Sequence, residues 1–215
     1  MIFKKQYYQP AMNDRSTNNL SSSSSGSLLF SNIQKYVHLN TDEEELVWSF
    51  FKTVNYAKKA VFLQQGDACR KFYFVEKGSV RAFHTNIEGK ESTVMFAVED
   101  WWITDMGAFL NEKSASISME TLDDCLLFEL DSLSMKKLLE VIPKLEKYFR
   151  ILFQRAYIRE QQRALDAISI PLEKRYLDFL EKYPKIVKMV TQKQIASYLG
   201  VTPEFLSTIK NRIPS

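Results

Sequence analysis

Residues 191–212 read TQKQIASYLGVTPEFLSTIKNR, and this stretch decides how the chain is organised. Thr191 and Gln194 stand at the spacing of a capping box, in which each side chain accepts from the other residue's backbone N–H and so starts a helix. Ile195 and Leu199 lie one turn apart on its inner face, and Ala196 is small enough to let a second helix cross closely. Gly200 can take the left-handed conformation that ends a helix without Cβ strain. Thr202 followed by Pro203 is an N-cap with proline at the first helical position, so a second helix begins at once. Leu206 and Ile209 face inward, Val201 plugs the turn, and Glu204, Ser207, Thr208, Asn211 and Arg212 are left outside.

Two short helices with this pattern match the helix-turn-helix, whose second helix enters the major groove of DNA. An ordinary helical hairpin that binds nothing is the competing reading. On the DNA-binding reading, Glu204, Ser207, Thr208 and Asn211 face base edges, with Thr202 at the start of the reading helix. Gln192, Lys193, Lys210 and Arg212 are then the phosphate contacts.

The 215 residues are 45% hydrophobic and 13% aromatic, enough for one large or two modest packed domains. Cys69 and Cys125 are too few for a disulfide scaffold and too far apart for a metal motif, which fits a reduced, cytoplasmic setting. No apolar run approaches the roughly 20 residues that cross a bilayer, and the N-terminus lacks a signal-peptide block, so no membrane partner is expected. The net charge of +3 divides unevenly. Residues 1–131 hold 13 Lys and Arg against 18 Asp and Glu, whereas residues 132–215 hold 16 against 8. A basic C-terminal half that contains the helix pair is the electrostatic footprint of a phosphate-binding surface, although exposed helices carry solvated charge in any case.

Four segments are expected. Residues 1–27, with a serine run at 21–25, are too polar to fold and read as a disordered tail. Residues 28–141 begin with helical spacing, including Thr41 as an N-cap before an acidic first turn, and continue as short strands at 61–63, 72–75, 79–83, 92–97, 116–121 and 125–130. Residues 142–169 form a long helix whose seam Ile142, Leu145, Phe149, Leu152 and Ala156 would pair with a second copy, then fades into Arg159 and Arg163. The other reading is a helix packed only on its own strands. Residues 170–215 carry the helix pair, preceded by an amphipathic helix from Leu172 that ends at Pro184.

The stretch VFLQQGDACRKFYFVEKGSVRAF at 61–83, a hairpin at 86–90, a helical stretch and the distal helix pair resemble the cyclic-AMP receptor and fumarate-nitrate regulator (Crp-Fnr) family over about residues 28–212. The resemblance implies an α+β fold with an N-terminal β-roll sensor resembling a cyclic-nucleotide-binding jelly roll, a long connecting helix and a C-terminal helix-turn-helix domain. It implies a homodimeric, sequence-specific transcription regulator, with double-stranded DNA and RNA polymerase as partners. In the family a wing follows the reading helix. Here the sequence stops at Ser215, three residues past Arg212, so no wing is expected.

The family's phosphate cassette corresponds to WWITDMGAFLNEKSA at 101–115, which places Asp105 at the ribose-binding glutamate, Gly107 at a glycine, and Lys113 and Ser114 at the arginine and serine. Thr104 replaces the first glycine, the spacing to the cation is shorter, and lysine cannot make the bidentate phosphate contact of arginine. Cyclic AMP is therefore not expected as the effector, and the segment's plain role is packing, with Trp101, Trp102 and Phe109 in the core. A sensor or interaction module that binds cyclic nucleotides but not DNA is the alternative. His38 and His84 lack ligand-spaced companions, and no nucleophile-base pair is visible, so no metal, cofactor or catalytic residue is expected.

Overall fold

The computed structural model describes residues 27–212. The predicted tail therefore lies outside the described residues except for Ser27, whose hydroxyl caps the first helix by accepting from the Leu29 N–H. Helix α1 (Leu28–Gln34) and helix α2 (Thr41–Trp48) lead into the roll. The capping box of α2 belongs to Asn40 and Glu43, one residue before the expected Thr41.

Two four-stranded antiparallel sheets make the roll. One has the order β1 (Lys52–Tyr56), β8 (Cys125–Asp131), β3 (Lys71–Lys77), β6 (Trp101–Ile103). The other has the order β2 (Val61–Leu63), β7 (Ser118–Thr121), β4 (Val80–Thr85), β5 (Glu91–Ala97). Six strands lie where alternation and turn residues place them. The strands β1 and β6 do not follow from the pattern, because β1 is largely solvent-facing and β6 is only three residues of continuous apolar sequence. Gly78 joins β3 to β4 at φ +94, where a Cβ would lie 2.6 Å from Cys125 Sγ and 2.8 Å from the Asp124 carbonyl. Only glycine fits there.

Helix α3 (Met106–Leu110) bridges β6 and β7, and α4 (Ser132–Val141) follows β8 with Asp131 as its cap. The long helix α5 (Leu145–Ser169) then packs its first turns on the roll. Helices α6 (Leu172–Lys182), α7 (Pro184–Val187), α8 (Gln192–Leu199) and α9 (Pro203–Lys210) complete an α+β chain. Pro184 both ends α6 and opens the short α7, as proline suits a first helical position.

The hydrophobic interior has two parts. The larger fills the roll and takes in α1, α4 and the start of α5, with Phe74, Leu127 and Leu130 fully shielded. The smaller lies among α6–α9 and includes Phe96 of β5 and Leu122 from the roll. Phe96 sits 5.3 Å from the Tyr198 ring and 5.9 Å from the Phe179 ring, centroid to centroid. The C-terminal helices are thus docked on the outer face of the second sheet. Ser197 Oγ accepts from the Thr93 N–H at 2.7 Å, fixing α8 against β5.

A buried chain of hydrogen bonds sets where α5 leaves the roll. Trp102 Nε1 donates to the Tyr148 hydroxyl at 2.7 Å, which donates to Asn32 Oδ1 at 2.7 Å, while Asn32 Nδ2 donates to the Asp100 carboxylate at 2.7 Å. Burial pushes the Tyr148 hydroxyl well above its ordinary pKa, so it stays protonated and able to donate.

Candidate nucleic-acid interface and effector cavity

The helix pair α8–α9 is built as its residues dictate. Thr191 Oγ1 accepts from the Gln194 N–H at 3.2 Å and Gln194 Oε1 accepts from the Thr191 N–H at 2.8 Å, the reciprocal capping box. Gly200 takes φ +73 and ψ 32 and closes α8 in the left-handed conformation. Thr202 caps α9 by accepting from the Phe205 N–H at 3.2 Å, with Pro203 next. Ile195, Ala196, Leu199, Leu206 and Ile209 are all buried between the two helices and α6.

Gln192, Lys193, Thr202, Glu204, Ser207, Thr208, Asn211 and Arg212 are exposed on the outside of this pair. Two details differ from the expected set. Lys210 is half-buried and lies near the inner edge of α9, about one turn on from Leu206. Phe205, absent from that set, is 51% exposed beside Glu204 and Thr208. Its aromatic type resembles a core residue in sequence, and only its helical phase relative to Leu206 and Ile209 sets it outside. Thr208 Oγ1 donates back to the Glu204 carbonyl at 3.1 Å, so its hydroxyl is oriented by its own helix.

The seam of α5 requires a correction. Ile142, Leu145 and Phe149 are buried in the core of their own chain, and Leu152 packs against it, half-buried. Ala156 is half-buried on the same face. These residues lie on one side of the helix because they share its period, and the roll occupies that side. The opposite side carries Gln154, Ile158, Gln161, Leu165 and Ile168, alternately four and three apart. Ile158, Leu165 and Ile168 are 62%, 53% and 87% exposed. The stripe expected as a seam is the richer in apolar residues, and it belongs to the core.

The roll contains a cavity of about 560 Å³ between the sheets and α5, of the size that holds a small ligand. Its wall is mostly apolar: Phe72, Trp102, Met106, Ile117, Leu152 and Phe153. Arg155 and Arg159 of α5 stand at its edge. Of the four expected effector residues only Asp105 reaches this wall. Asp105 is buried and already engaged: one oxygen caps α3 from the Ala108 N–H at 3.1 Å, and the other accepts from the Ser116 N–H at 2.7 Å and its hydroxyl at 2.6 Å. Burial alone would raise its pKa, but the donors from Ser116, Ala108 and Gly107 outweigh it and hold the carboxyl below the ordinary value. Gly107, Lys113 and Ser114 are exposed and lie outside this cavity wall. Ser114 forms a bridge with Ala68, and the Lys113 carbonyl accepts from the Cys69 N–H. The Lys113 N–H donates to the Ala108 carbonyl at 2.9 Å, so the segment folds back on α3 with Asp105 alone of the four at the cavity wall.

His84 Nδ1 lies 2.8 Å from the Ser116 carbonyl oxygen. Among the described residues no group of His, Cys, Asp and Glu is arranged to hold a metal, and no helix is long and apolar enough to cross a membrane.

Residues 53–141 match the family model for the cyclic nucleotide-binding domain. No curated protein matches the chain in sequence. Among solved structures, the chain is similar to the c-di-GMP responsive global regulator CLP of Xanthomonas campestris, with a TM-score of 0.64 and 15% identity over 80% of this chain and 91% of that one. It is similar to the catabolite activator protein of Thermus thermophilus, at 0.52 and 23% over 81% and 83%. A Crp/Fnr-family transcriptional regulator from Eubacterium rectale gives 0.64 and 18% over 81% and 83%. Residues 53–141 are thus similar to the cyclic nucleotide-binding domain family, and the chain shares the fold of these solved structures.

Proposed function

We propose that this chain is a sequence-specific DNA-binding transcription regulator that acts as a homodimer through α5 and reads DNA with a helix-turn-helix formed by α8 and α9. The observation that carries it is the division of α9. Its Leu206 and Ile209 face is sealed against α6 and α8, while Glu204, Phe205, Ser207, Thr208, Asn211 and Arg212 are turned outward. Such a face supplies donors and acceptors for base edges and, in Phe205, an apolar surface for a thymine methyl. Lys193 and Arg212 flank it as phosphate contacts. Lys210, lying toward the inner edge, is a lesser contact.

A dimer suits this reading because paired reading helices span two half-sites about one helical turn apart. The stripe Gln154, Ile158, Gln161, Leu165 and Ile168 supports pairing with a second copy, since it has coiled-coil spacing and leaves three large apolar side chains in water. Selection of bound duplexes from a random pool should enrich a palindrome. Lys193→Ala and Arg212→Ala should each weaken binding to all sequences alike and lower the slope of log affinity against log salt by about 1. A pool with no enriched sequence would sink the reading.

The effector of the roll is not a cyclic nucleotide on this reading, and the role of the chain is regulatory and not enzymatic. Support comes from Asp105, whose oxygens are occupied by Ser116 and the start of α3, and from the exposed position of Lys113. The apolar wall of Phe72, Trp102, Met106 and Phe153 favours a less polar molecule, with Arg155 or Arg159 for any acidic group it bears. Saturable heat on titration with cyclic AMP or cyclic GMP, abolished by Ser116→Val, would overturn this assignment.

A further inference from the structure

The inner stripe of α5 changes character where the helix leaves the roll. Leu145, Phe149, Leu152 and Ala156 give way on the same side to Arg159 and Arg163, with Arg155 adjacent. A helix packing only against other helices gains nothing from this exchange, because each guanidinium must then be paired or kept hydrated. The arginines face a cavity of about 790 Å³, bounded by α5, β5, α6 and the end of α8. From across it, α6 contributes Arg175 and Lys182. The acids on its wall are Glu160, Asp166 and Asp178, so cations outnumber them five to three.

Those acids leave the cations incompletely satisfied. Glu160 is shared, at 2.9 Å from Arg163 and 3.5 Å from Arg159. Asp166 accepts from Gln162, and Asp178 pairs with Lys174, both at exposed sites. Arg175 donates through one terminal nitrogen to the Leu199 carbonyl at 2.9 Å, while its Nε is buried without a hydrogen-bond partner among the described residues. Partial burial, then the charges of Arg159 and Arg163, hold the Lys182 ammonium below the ordinary lysine pKa, against the opposite pull of Glu160 and Asp166. The region is short of negative charge.

Its other surfaces are aromatic. Trp101, Tyr183 and Tyr198 line it, with the Arg159 guanidinium 4.7 Å from the Trp101 ring and Arg163 5.8 Å from Tyr198. Guanidinium planes and aromatic rings are the surfaces on which nucleobases stack. We propose that this cavity between the roll and the C-terminal helices binds a nucleoside polyphosphate, with Arg163, Arg175 and Lys182 on the phosphates and the base against Trp101 and Tyr198. The site adjoins the roll cavity and shares Trp101, Arg155 and Arg159 with its wall, but Arg163, Arg175 and Lys182 line this site and not the roll cavity. It stands on its own geometry and does not depend on DNA binding.

Calorimetric titration of the full chain with ATP and GTP, alongside inorganic pyrophosphate and adenosine as the two halves of the ligand, tests it. One of the nucleotides should bind saturably at one site per chain, more tightly than either half. Arg163→Met and Lys182→Gln should each weaken that binding about tenfold, the effect of losing one charge-assisted contact. Met106→Ala, in the roll cavity alone, should leave it unchanged. Lys182 is exposed, so its variant keeps the test valid if Arg163→Met fails to fold. The proposal is overturned if neither nucleotide binds, if both variants bind as the wild type does, or if pyrophosphate alone binds equally well.

Discussion

The carboxylate of Asp105 is fully occupied by its own chain, and that fixes what acid does to the roll. Its donors, Ser116 and the first turn of α3, hold its folded pKa below the ordinary aspartate value of 3.8. A depressed folded pKa means that the ionised form stabilises the fold above the ordinary value, and that this contribution is lost as pH falls through the folded one. Asp105→Asn should retain the helix cap but lose the charge, melting lower than wild type at pH 7 by an amount that shrinks toward pH 3. Asp105→Ala, which removes the cap as well, should cost about 1–2 kcal/mol at pH 7. A pH-independent difference between wild type and Asp105→Asn in thermal melts would show that the charge does not matter. The resemblance to the family's phosphate cassette puts Asp105 at a ligand-binding position. What it lacked was Ser116, eleven residues on, whose N–H and hydroxyl decide where the carboxylate points.

At the scale of the element, α5 has two apolar stripes with different tasks. Leu145 and Phe149 hold it to the roll, together with the Trp102–Tyr148–Asn32 hydrogen bonds. Ile158, Leu165 and Ile168 are each more than half exposed. Both stripes follow from a helical period, so periodicity locates the helix and cannot say which stripe meets which surface. That depends on the rotation of the helix, which is set by the depth of Tyr148. The caps are the opposite case. Thr191, Gly200, Thr202 and Pro203 act within one turn of themselves, so α8 and α9 were legible to the residue. If α5 joins two copies, Ile158→Glu should raise the dimer dissociation constant at least about a hundredfold, since each copy buries a side chain worth roughly 1.5–3 kcal/mol. Phe149 belongs to the other stripe, and Phe149→Ala should destabilise the subunit before it separates the pair. Sedimentation equilibrium distinguishes these results, and an unchanged dimer in Ile158→Glu would exclude the stripe as the seam.

Across the whole molecule, the roll and the C-terminal helices share side chains, which links their stabilities. The link was not legible in the sequence, because Phe96 has the alternation of any strand residue and nothing local shows that its outward side is covered. In the fold it is fully buried among Phe179, Tyr183 and Tyr198. Beside it, Arg81 of β4 is buried under the same face and paired with Glu91 and Glu120. With the Thr93–Ser197 hydrogen bond, these contacts make the outer sheet a platform for α8. Truncating Phe96 removes the larger of the two buried side chains, Phe96 and Leu122, that the roll places in the helical core, and leaves a cavity that the surrounding rings cannot readily fill, at a cost of about 3–5 kcal/mol. The cost falls on the contact between the two halves more than on either core. Wild-type protein should therefore unfold in one calorimetric transition, and Phe96→Ala in two, with the helical part melting first because its core is the smaller. A single transition in the variant, shifted as a whole, would mean that the roll and helices are coupled through α5 alone and that the platform contributes little.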